Sequence, residues 1–146
     1  MEKVALQDIQ SAARKVIRQL SHKTDGATLI VLSGDLGAGK TTFVQALAHE
    51  LGITDAVQSP TYVLMKSYPI SYKELTRLVH IDAYRLNSPH EFAALKPQSF
   101  LEDPHALVCL EWPEKAAGML PKPDIILRFS SEGASEGERY ISIDPE

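Results

Sequence analysis

The sequence predicts an α/β fold of three layers, in which a mostly parallel central sheet lies between helices and an antiparallel hairpin ends the chain. Three observations support this prediction. The apolar runs at residues 27–32 and 106–110 have the composition of strands that are covered on both faces. A glycine-rich turn and a helical pattern follow the first run, which gives the order strand, turn, helix. Two further strand-like runs near the end of the sequence flank a Ser/Gly/Glu-rich loop.

Three helices are predicted along the chain. Apolar residues recur at helical spacing over residues 9–20, which is typical of an amphipathic helix that packs on a core. A second helical pattern begins at Lys40 and stops at Gly52. The tetrapeptide Ser88-Pro89-His90-Glu91 predicts the start of a third helix, with Ser88 as N-cap, Pro89 in the first helical position and Glu91 completing a capping box.

The remaining strands are predicted from composition. Residues 62–68 and 78–81 are rich in strand-forming residues, and the second of these runs ends at Asp82. Residues 125–129 and 140–143 flank the polar loop of the terminal hairpin. With no repeat or long linker to divide the chain, we expect residues 1–146 to form a single domain.

Composition and charge exclude several classes of protein. The chain has 146 residues, 44% of them hydrophobic, so it can bury a core without disulfides or a structural metal. A lone cysteine, the lack of a secretory h-region and the lack of an 18-residue apolar stretch predict a cytoplasmic protein with no membrane contact. A formal net charge of −4 has the wrong sign for binding phosphate backbones, so we expect no DNA binding.

A phosphate-binding motif lies at the turn between the first buried strand and the second helix. Residues 34–41 match the pattern G-x-x-x-x-G-K-[ST] at every fixed position, in the strand-to-helix context that confirms such a match. Glycines let the backbone approach a polyphosphate, and the first amides of the helix point at the same anion. Lys40 would supply a positive charge to the β and γ phosphates, and the Thr41 hydroxyl would hold Mg²⁺.

Two carboxylates are candidates for the metal site, because ligands of open α/β sheets gather at the carboxyl ends of strands. Glu111 is favoured as the Mg²⁺ ligand, since the run before it is the more fully apolar and so the more central strand. Asp82 is then a group of the second metal shell or a base that orients water. Either residue could instead be a solvated acid at the end of a strand.

The sequence allows two interpretations for each of four other residues. Thr61, in Ser59-Pro60-Thr61-Tyr62, belongs either to a loop that reports on the γ-phosphate or to an ordinary turn. Arg85 either neutralises charge in the transition state or is a solvated surface arginine. Trp112 either packs or responds to nucleotide. His80, on an apolar strand, is interpreted as a core histidine with its hydrogen bonds satisfied rather than as a ligand.

Together these motifs resemble the bacterial TsaE family, small P-loop ATPases of the tRNA threonylcarbamoyladenosine pathway. The resemblance covers nearly the whole chain. It depends on four stretches in this order: Gly34-Asp35-Leu36-Gly37-Ala38-Gly39-Lys40-Thr41-Thr42, Ser59-Pro60-Thr61-Tyr62, His80-Ile81-Asp82-Ala83-Tyr84-Arg85-Leu86 and Glu111-Trp112-Pro113-Glu114. The first stretch is common to many nucleoside triphosphatases, whereas the set is specific to the family.

The resemblance implies a P-loop NTPase-like fold and an ATPase that is slow alone and stimulated by its partner. That partner is the TsaB–TsaD pair, which transfers the threonylcarbamoyl group to adenosine 37 of tRNA, so contact with tRNA is indirect. The resemblance further implies that ATP turnover would reset the pair between cycles. Lys40, Asp82 and Glu111 would be catalytic, Thr41 and Glu111 would hold Mg²⁺, and Thr61, Arg85 and Trp112 would belong to the switch or to the partner surface. ATP or ADP would be bound by Asp35, Leu36, Gly37, Ala38, Gly39, Lys40, Thr41 and Thr42.

Three other functions would use the same phosphate-binding turn at residues 34–41, which we call the cradle. A small-molecule kinase commonly has an arginine-bearing lid, and the arginines between the cradle and Glu111 are Arg77 and Arg85 only. A GTPase normally carries Asn-Lys-x-Asp, which does not occur in the sequence. A binding module with a structural nucleotide and negligible turnover is the third, and it overlaps with an ATPase that is inert until its partner binds.

Overall fold

The computed structural model describes residues 2–21, 23–35, 37–53, 64–135 and 137–145. Within these residues the chain forms one sheet of seven strands. The strands are β1 (Glu2–Ala5), β2 (Thr28–Gly34), β3 (Met65–Tyr72), β4 (Leu75–Asp82), β5 (Ala106–Glu111), β6 (Ile125–Ser130) and β7 (Glu138–Asp144). Their order across the sheet is β1-β7-β6-β2-β5-β4-β3.

The centre of the sheet is parallel and its edges are antiparallel. Strand β2 pairs in parallel with β5 and β6, and β5 pairs in parallel with β4. Strands β3 and β7 pair antiparallel with β4 and β6, and β1 pairs antiparallel with β7. The predicted α/β class, the mostly parallel centre and the terminal hairpin are therefore confirmed.

Helices cover both faces of the sheet. They are α1 (Ile9–Arg18), α2 (Lys40–Glu50), α3 (Pro89–Ala93) and α4 (Gln98–Leu101), with 3₁₀ turns at Leu6–Asp8 and Pro113–Ala116. Alternate residues of β5 divide between two cores, because successive strand side chains point to opposite faces. Leu107 and Cys109 pack in the core that contains α1 and α2, whereas Val108 and Leu110 pack in the core that contains Phe92 and Phe100.

The register of the central strands brings their carboxyl ends to one level. Leu32 of β2 pairs with Glu111 of β5, and Glu111 pairs with Asp82 of β4. Helix α2 begins at Lys40, after the turn that follows β2. The predicted cradle and the two predicted carboxylates therefore lie at the same edge of the sheet, with β5 next to β2 and β4 one strand further away.

The start of α3 is confirmed, but its predicted capping box is wrong. Ser88 is the N-cap and Pro89 the first helical residue, yet the Ser88 side chain makes no capping hydrogen bond. The carboxylate of Glu91 accepts instead from the backbone N–H of Asn87 at 3.2 Å and from its side-chain amide at 3.3 Å. These two donors of one residue take up the carboxylate that was expected to bind Ser88.

Three details were not predicted. Strand β1 and helix α4 were missed, and β3 continues to Tyr72 through Pro69, which is tolerated because β3 is an edge strand. The predicted strand start at residues 62–63 lies outside the described residues. In the described part of the chain, no helix has the length and apolar character needed to cross a bilayer.

Candidate nucleotide site

The turn between β2 and α2 has the backbone of a phosphate cradle. Gly34, the last residue of β2, has φ 140°, and Gly39, the N-cap of α2, has φ 102°. Both values lie where side chains are disfavoured. A Cβ atom at Gly34 would also collide with the carbonyl oxygen of Phe129 on β6. The first amides of α2 consequently face the turn with no side chain at Gly39 in front of them.

Lys40 lies across this turn rather than in solvent. Its side chain is 4% exposed, and Nζ donates hydrogen bonds to the carbonyl oxygens of Gly34 at 2.7 Å and Asp35 at 2.8 Å. Nζ also lies 4.4 Å from the centre of the Trp112 ring, within the range of a cation–π contact. The ammonium group is thus held at the mouth of the cradle, where a phosphate could replace its carbonyl partners.

Burial lowers the pKa of Lys40, and the nearby carboxylates of Glu111, Asp82, Glu114 and Asp35 oppose that shift. One ammonium group therefore faces four carboxyl groups. These carboxyl groups would repel a bare nucleotide polyphosphate more than the same nucleotide carrying Mg²⁺, because the ion removes part of the phosphate charge.

Thr41 and Glu111 meet beside Lys40. The Thr41 hydroxyl lies 3.0 Å from Oε1 and 2.9 Å from Oε2 of Glu111. Glu111 is 2% exposed, although it ends a strand at the edge where a ligand would bind. A hydroxyl and a carboxylate are oxygen ligands of the kind that Mg²⁺ prefers.

The Thr41 hydroxyl and the Glu111 carboxylate are too few to hold Mg²⁺ by themselves, but they fit an ion that a bound nucleotide also holds. Among the described residues, no group of three or more His, Cys, Asp or Glu side chains is arranged to hold a metal ion. Protein Mg²⁺ sites commonly use one or two side chains, with phosphate oxygens and water as the other ligands. Thr41 and Glu111 would supply the protein share of such a site.

His80 holds the other side of the Glu111 carboxylate. Its Nε2 lies 2.6 Å from Oε2 of Glu111, and its side chain is completely buried. The ring is a core histidine, as expected, but its Nδ1 atom has no hydrogen-bond partner among the described residues, so its hydrogen bonds are only half satisfied. The contact with Glu111 was missed from sequence because the order of β4 and β5 was open.

Asp82 lies one strand further from the cradle than Glu111. Its Oδ1 accepts a hydrogen bond from the backbone N–H of Tyr84 at 3.1 Å. Burial raises the pKa of Asp82, the Tyr84 N–H opposes this shift and the neighbouring Glu111 carboxylate adds to it. Asp82 is thus a partly buried acid that faces the same site.

Trp112 and Tyr84 form an aromatic pair at the mouth of the site. Their ring centres are 5.0 Å apart, and Tyr84 is 43% exposed. Trp112 has φ 62° and ψ 57°, a left-handed backbone conformation that is rare for a bulky residue. This conformation turns the chain sharply after β5 and leaves the ring over Lys40. The ring packs against the core that contains Phe92 and Phe100 and also lies over Lys40, so a response of Trp112 to nucleotide stays a prediction.

Arg139 of β7 reaches the cradle from the opposite side and was missed from sequence. Its Nη2 lies 3.4 Å from the Gly37 carbonyl oxygen, and its Nη1 donates to the carbonyl of Glu138 at 2.6 Å. Its Nε is buried without a hydrogen-bond partner in the described residues. No sequence signal marked this residue, because the contact depends on the hairpin lying beside β2 through β6.

The other predicted residues are distributed as follows. Asp35 is exposed and its carbonyl accepts from the Ala38 N–H at 3.0 Å, Ala38 is fully buried, and Thr42 is exposed on α2. Arg85 is exposed in the turn after β4, next to Tyr84. Leu36 and Thr61 lie outside the described residues, so their predicted roles stay predictions.

A family model described as "Threonylcarbamoyl adenosine biosynthesis protein TsaE" matches residues 6–141. The chain belongs to the TsaE family. The matched range includes the cradle and both carboxylates of this chain, and the resemblance predicted from the sequence motifs is confirmed.

Individual members of the TsaE family are similar to the chain over much of its length. A protein of Haemophilus influenzae named tRNA threonylcarbamoyladenosine biosynthesis protein TsaE is 36% identical over 73% of the chain, and the chain spans 65% of that relative's length. A Nostoc protein of the same name is 34% identical over 99% of the chain and 86% of the relative. Membership thus connects the chain to proteins of tRNA threonylcarbamoyladenosine biosynthesis.

A solved structure supports the fold of this family member. The crystal structure of YdiB from Bacillus subtilis superimposes with a TM-score of 0.65 and 26% sequence identity. The superposition covers 97% of this chain and 82% of the YdiB chain. The predicted P-loop NTPase-like architecture is therefore confirmed.

Proposed function

We propose that the chain is a Mg²⁺-dependent ATP hydrolase that binds the TsaB–TsaD pair and resets it between cycles of tRNA modification. Residues 1–146 would act as one P-loop ATPase domain, in the cytoplasm, with tRNA contacted only through the partner. The observation that carries the proposal is the placement of Lys40, Thr41 and Glu111 around one turn, with Nζ and the two oxygen ligands at the same edge of the sheet.

The nucleotide phosphates would bind between the amides of α2 and the Lys40 ammonium group. ATP or ADP would displace the Gly34 and Asp35 carbonyls as partners of Nζ, which is a favourable exchange because phosphate oxygens are charged acceptors. The bound Mg²⁺ would neutralise charge on the phosphates. Thr41 and Glu111 would hold that ion on the side of the cradle that faces β5.

Asp82 would orient the attacking water. Its raised pKa and its place beside Glu111 are the properties of an acid that handles a proton at this edge of the sheet. Trp112 and the exposed Tyr84 ring lie between the cradle and solvent, so the partner would sense the nucleotide through this pair. Thr61 and Arg85 would belong to the same partner-linked surface.

The test is ATP consumption by the purified chain with and without the purified TsaB–TsaD pair. We expect slow turnover alone, clear stimulation by the pair and dependence on Mg²⁺. Lys40→Ala should abolish nucleotide binding or turnover, and Lys122→Ala, which changes an exposed lysine outside the site, is its matched control. Absence of stimulation together with phosphorylation of a small metabolite would indicate a kinase and would overturn the proposal.

A further inference from the structure

Glu111 makes a buried polar contact with His80, a residue that has no role in the proposed function. His80 and Glu111 are 0% and 2% exposed, and Nε2 of His80 lies 2.6 Å from Oε2 of Glu111. A carboxylate that binds Mg²⁺ offers acceptors only, so in the proposed site Nε2 of His80 would carry the hydrogen of this bond. The donor of this hydrogen bond would thus lie on β4 and its acceptor, Oε2 of Glu111, on β5.

We propose that His80 is a positioning residue that fixes the Glu111 carboxylate toward Thr41 and thereby sets the affinity of the site for Mg²⁺. This inference rests on the proposed function. In metal sites, donors that bind the far side of a ligand commonly orient it, and their loss costs about 10–100-fold in metal affinity or activity.

Among the described residues, the His80 side chain makes its hydrogen bond to Glu111 only. Its neighbours on the same face of the sheet include Leu78 and Cys109, both completely buried, together with Asp82 at the end of β4 and Lys66 on β3. A side chain that only filled this space would be apolar, because a buried polar ring with an unpartnered Nδ1 is costly. The bond to Glu111 is the compensating interaction that the described residues provide.

The contact also restricts how Glu111 can move. Oε2 accepts from both His80 and Thr41, whereas Oε1 contacts Thr41 at 3.0 Å. The Thr41 hydroxyl can rotate toward a metal ion, whereas the completely buried His80 ring has little room to move. His80 therefore keeps the carboxylate facing Thr41 after that hydroxyl has turned away.

The test compares two amide variants that differ in reach. His80→Gln can place an N–H donor near the position of Nε2, whereas His80→Asn reaches only the position of Nδ1. His80→Asn also leaves a larger cavity, by about one methylene group, so the comparison needs a control for packing. Equilibrium binding of ATP is measured against Mg²⁺ concentration and in EDTA, with thermal unfolding as the check on folding, and Leu78→Ala is the control for a cavity on the same face.

We expect His80→Asn to need about 10-fold or more Mg²⁺ for the same gain in ATP affinity, with unchanged affinity in EDTA. His80→Gln should stay within a few-fold of the unmutated chain, and Leu78→Ala should lose stability only. A His80→Asn variant with unmutated Mg²⁺ dependence, or equal losses in both amide variants, would overturn the positioning role alone. Absence of Mg²⁺-dependent ATP binding in the unmutated chain would instead overturn the proposed function, and this inference with it.

A spectroscopic measurement on the unmutated chain keeps the test independent of how the variants fold. In a ¹⁵N-edited NMR spectrum, the Nε2 proton of His80 should be slow to exchange and should shift when Mg²⁺ and ATP are added together. Glu111→Gln should change that resonance more than Leu78→Ala does. A His80 ring whose proton is on Nδ1 would overturn the proposal.

Discussion

The hydroxyl of Thr41 and the carboxylate of Glu111 are in direct contact, 2.9 Å apart at Oε2, although 70 residues separate them in the chain. Thr41 stands in the first turn of α2 and Glu111 ends β5, so the contact joins the cradle to the neighbouring strand. A metal ion that binds both oxygen atoms must break their mutual hydrogen bond. Mg²⁺ binding therefore replaces the hydrogen bond that joins α2 to β5 with bonds from both side chains to the ion.

Replacing the Thr41 hydroxyl should separate metal binding from folding. Thr41→Val keeps the shape of the side chain but removes the hydrogen bond to Glu111, so we expect a loss of roughly 1–2 kcal/mol in the free energy of unfolding. We also expect Mg²⁺-dependent ATP binding to fall by about 10-fold or more, and Thr41→Ser to restore it. Chemical denaturation and equilibrium binding measure the two effects. Full Mg²⁺ dependence in Thr41→Val would contradict the metal role.

Removal of the Lys40 ammonium group should weaken nucleotide binding more than any other single change in the cradle. Lys40→Met retains much of the buried stem but cannot bind a phosphate. The loss of two charged hydrogen bonds, at about 1.5 kcal/mol or more each, predicts at least about a 100-fold increase in the Kd for Mg²⁺-ATP. Isothermal titration measures this constant, with Lys122→Met as the matched control. Retention of tight binding would show that Lys40 does not contact the phosphates.

Trp112 should report nucleotide binding by its fluorescence. It is the single tryptophan of the sequence, and the Lys40 ammonium group lies 4.4 Å from its ring. Movement of Nζ to a phosphate would take a positive charge away from the indole, so we expect the emission to change on addition of Mg²⁺-ATP. The change should be absent in Lys40→Met. An unchanged emission at concentrations where calorimetry detects binding would show that Lys40 stays over the ring.

The cradle and the centre of the sheet could be predicted from sequence because local signals specify them. An apolar run before glycines and Lys40 predicts β2 and α2 without knowledge of any distant residue. The three-residue contact of His80, Glu111 and Thr41 could not be predicted, since it depends on β5 lying between β2 and β4. Arg139 was missed for the same reason. Strand β1 was missed because its four residues pair only with β7 at the edge of the sheet.

Arg139 should make a small contribution to the affinity of the cradle for Mg²⁺-ATP. Its Nη2 contact with the Gly37 carbonyl is 3.4 Å long, and a long hydrogen bond is weak. We therefore expect Arg139→Met to raise the Kd for Mg²⁺-ATP by less than about 10-fold, which corresponds to about 1.4 kcal/mol. Arg128→Met is the matched control, since Arg128 of β6 is exposed and its 3.7 Å ion pair with Asp144 is of the kind that contributes little. Equal effects of the two variants would show that Arg139 has no role at the cradle.

Asp82 should make the protein less stable at neutral pH than it would be with an uncharged side chain. Burial raises the pKa of Asp82 in the folded chain, so the unfolded chain binds fewer protons than the folded chain between the two pKa values. The stability therefore falls as pH rises through that range, and the deficit is constant above it. Below the usual aspartate pKa of about 3.9 the deficit is absent.

Asp82→Asn removes this charge while its amide oxygen can still accept from the Tyr84 N–H. We expect the variant to unfold at a higher temperature than the unmutated chain near pH 7, with the difference narrowing as pH is lowered toward 4, and to hydrolyse ATP more slowly. Thermal unfolding over a pH series measures the first effect, and Asp25→Asn, at an exposed turn, is the control. A variant that is less stable at neutral pH would show that the Asp82 carboxylate stabilises the fold, and one with full partner-stimulated turnover would show that the carboxylate takes no part in the reaction.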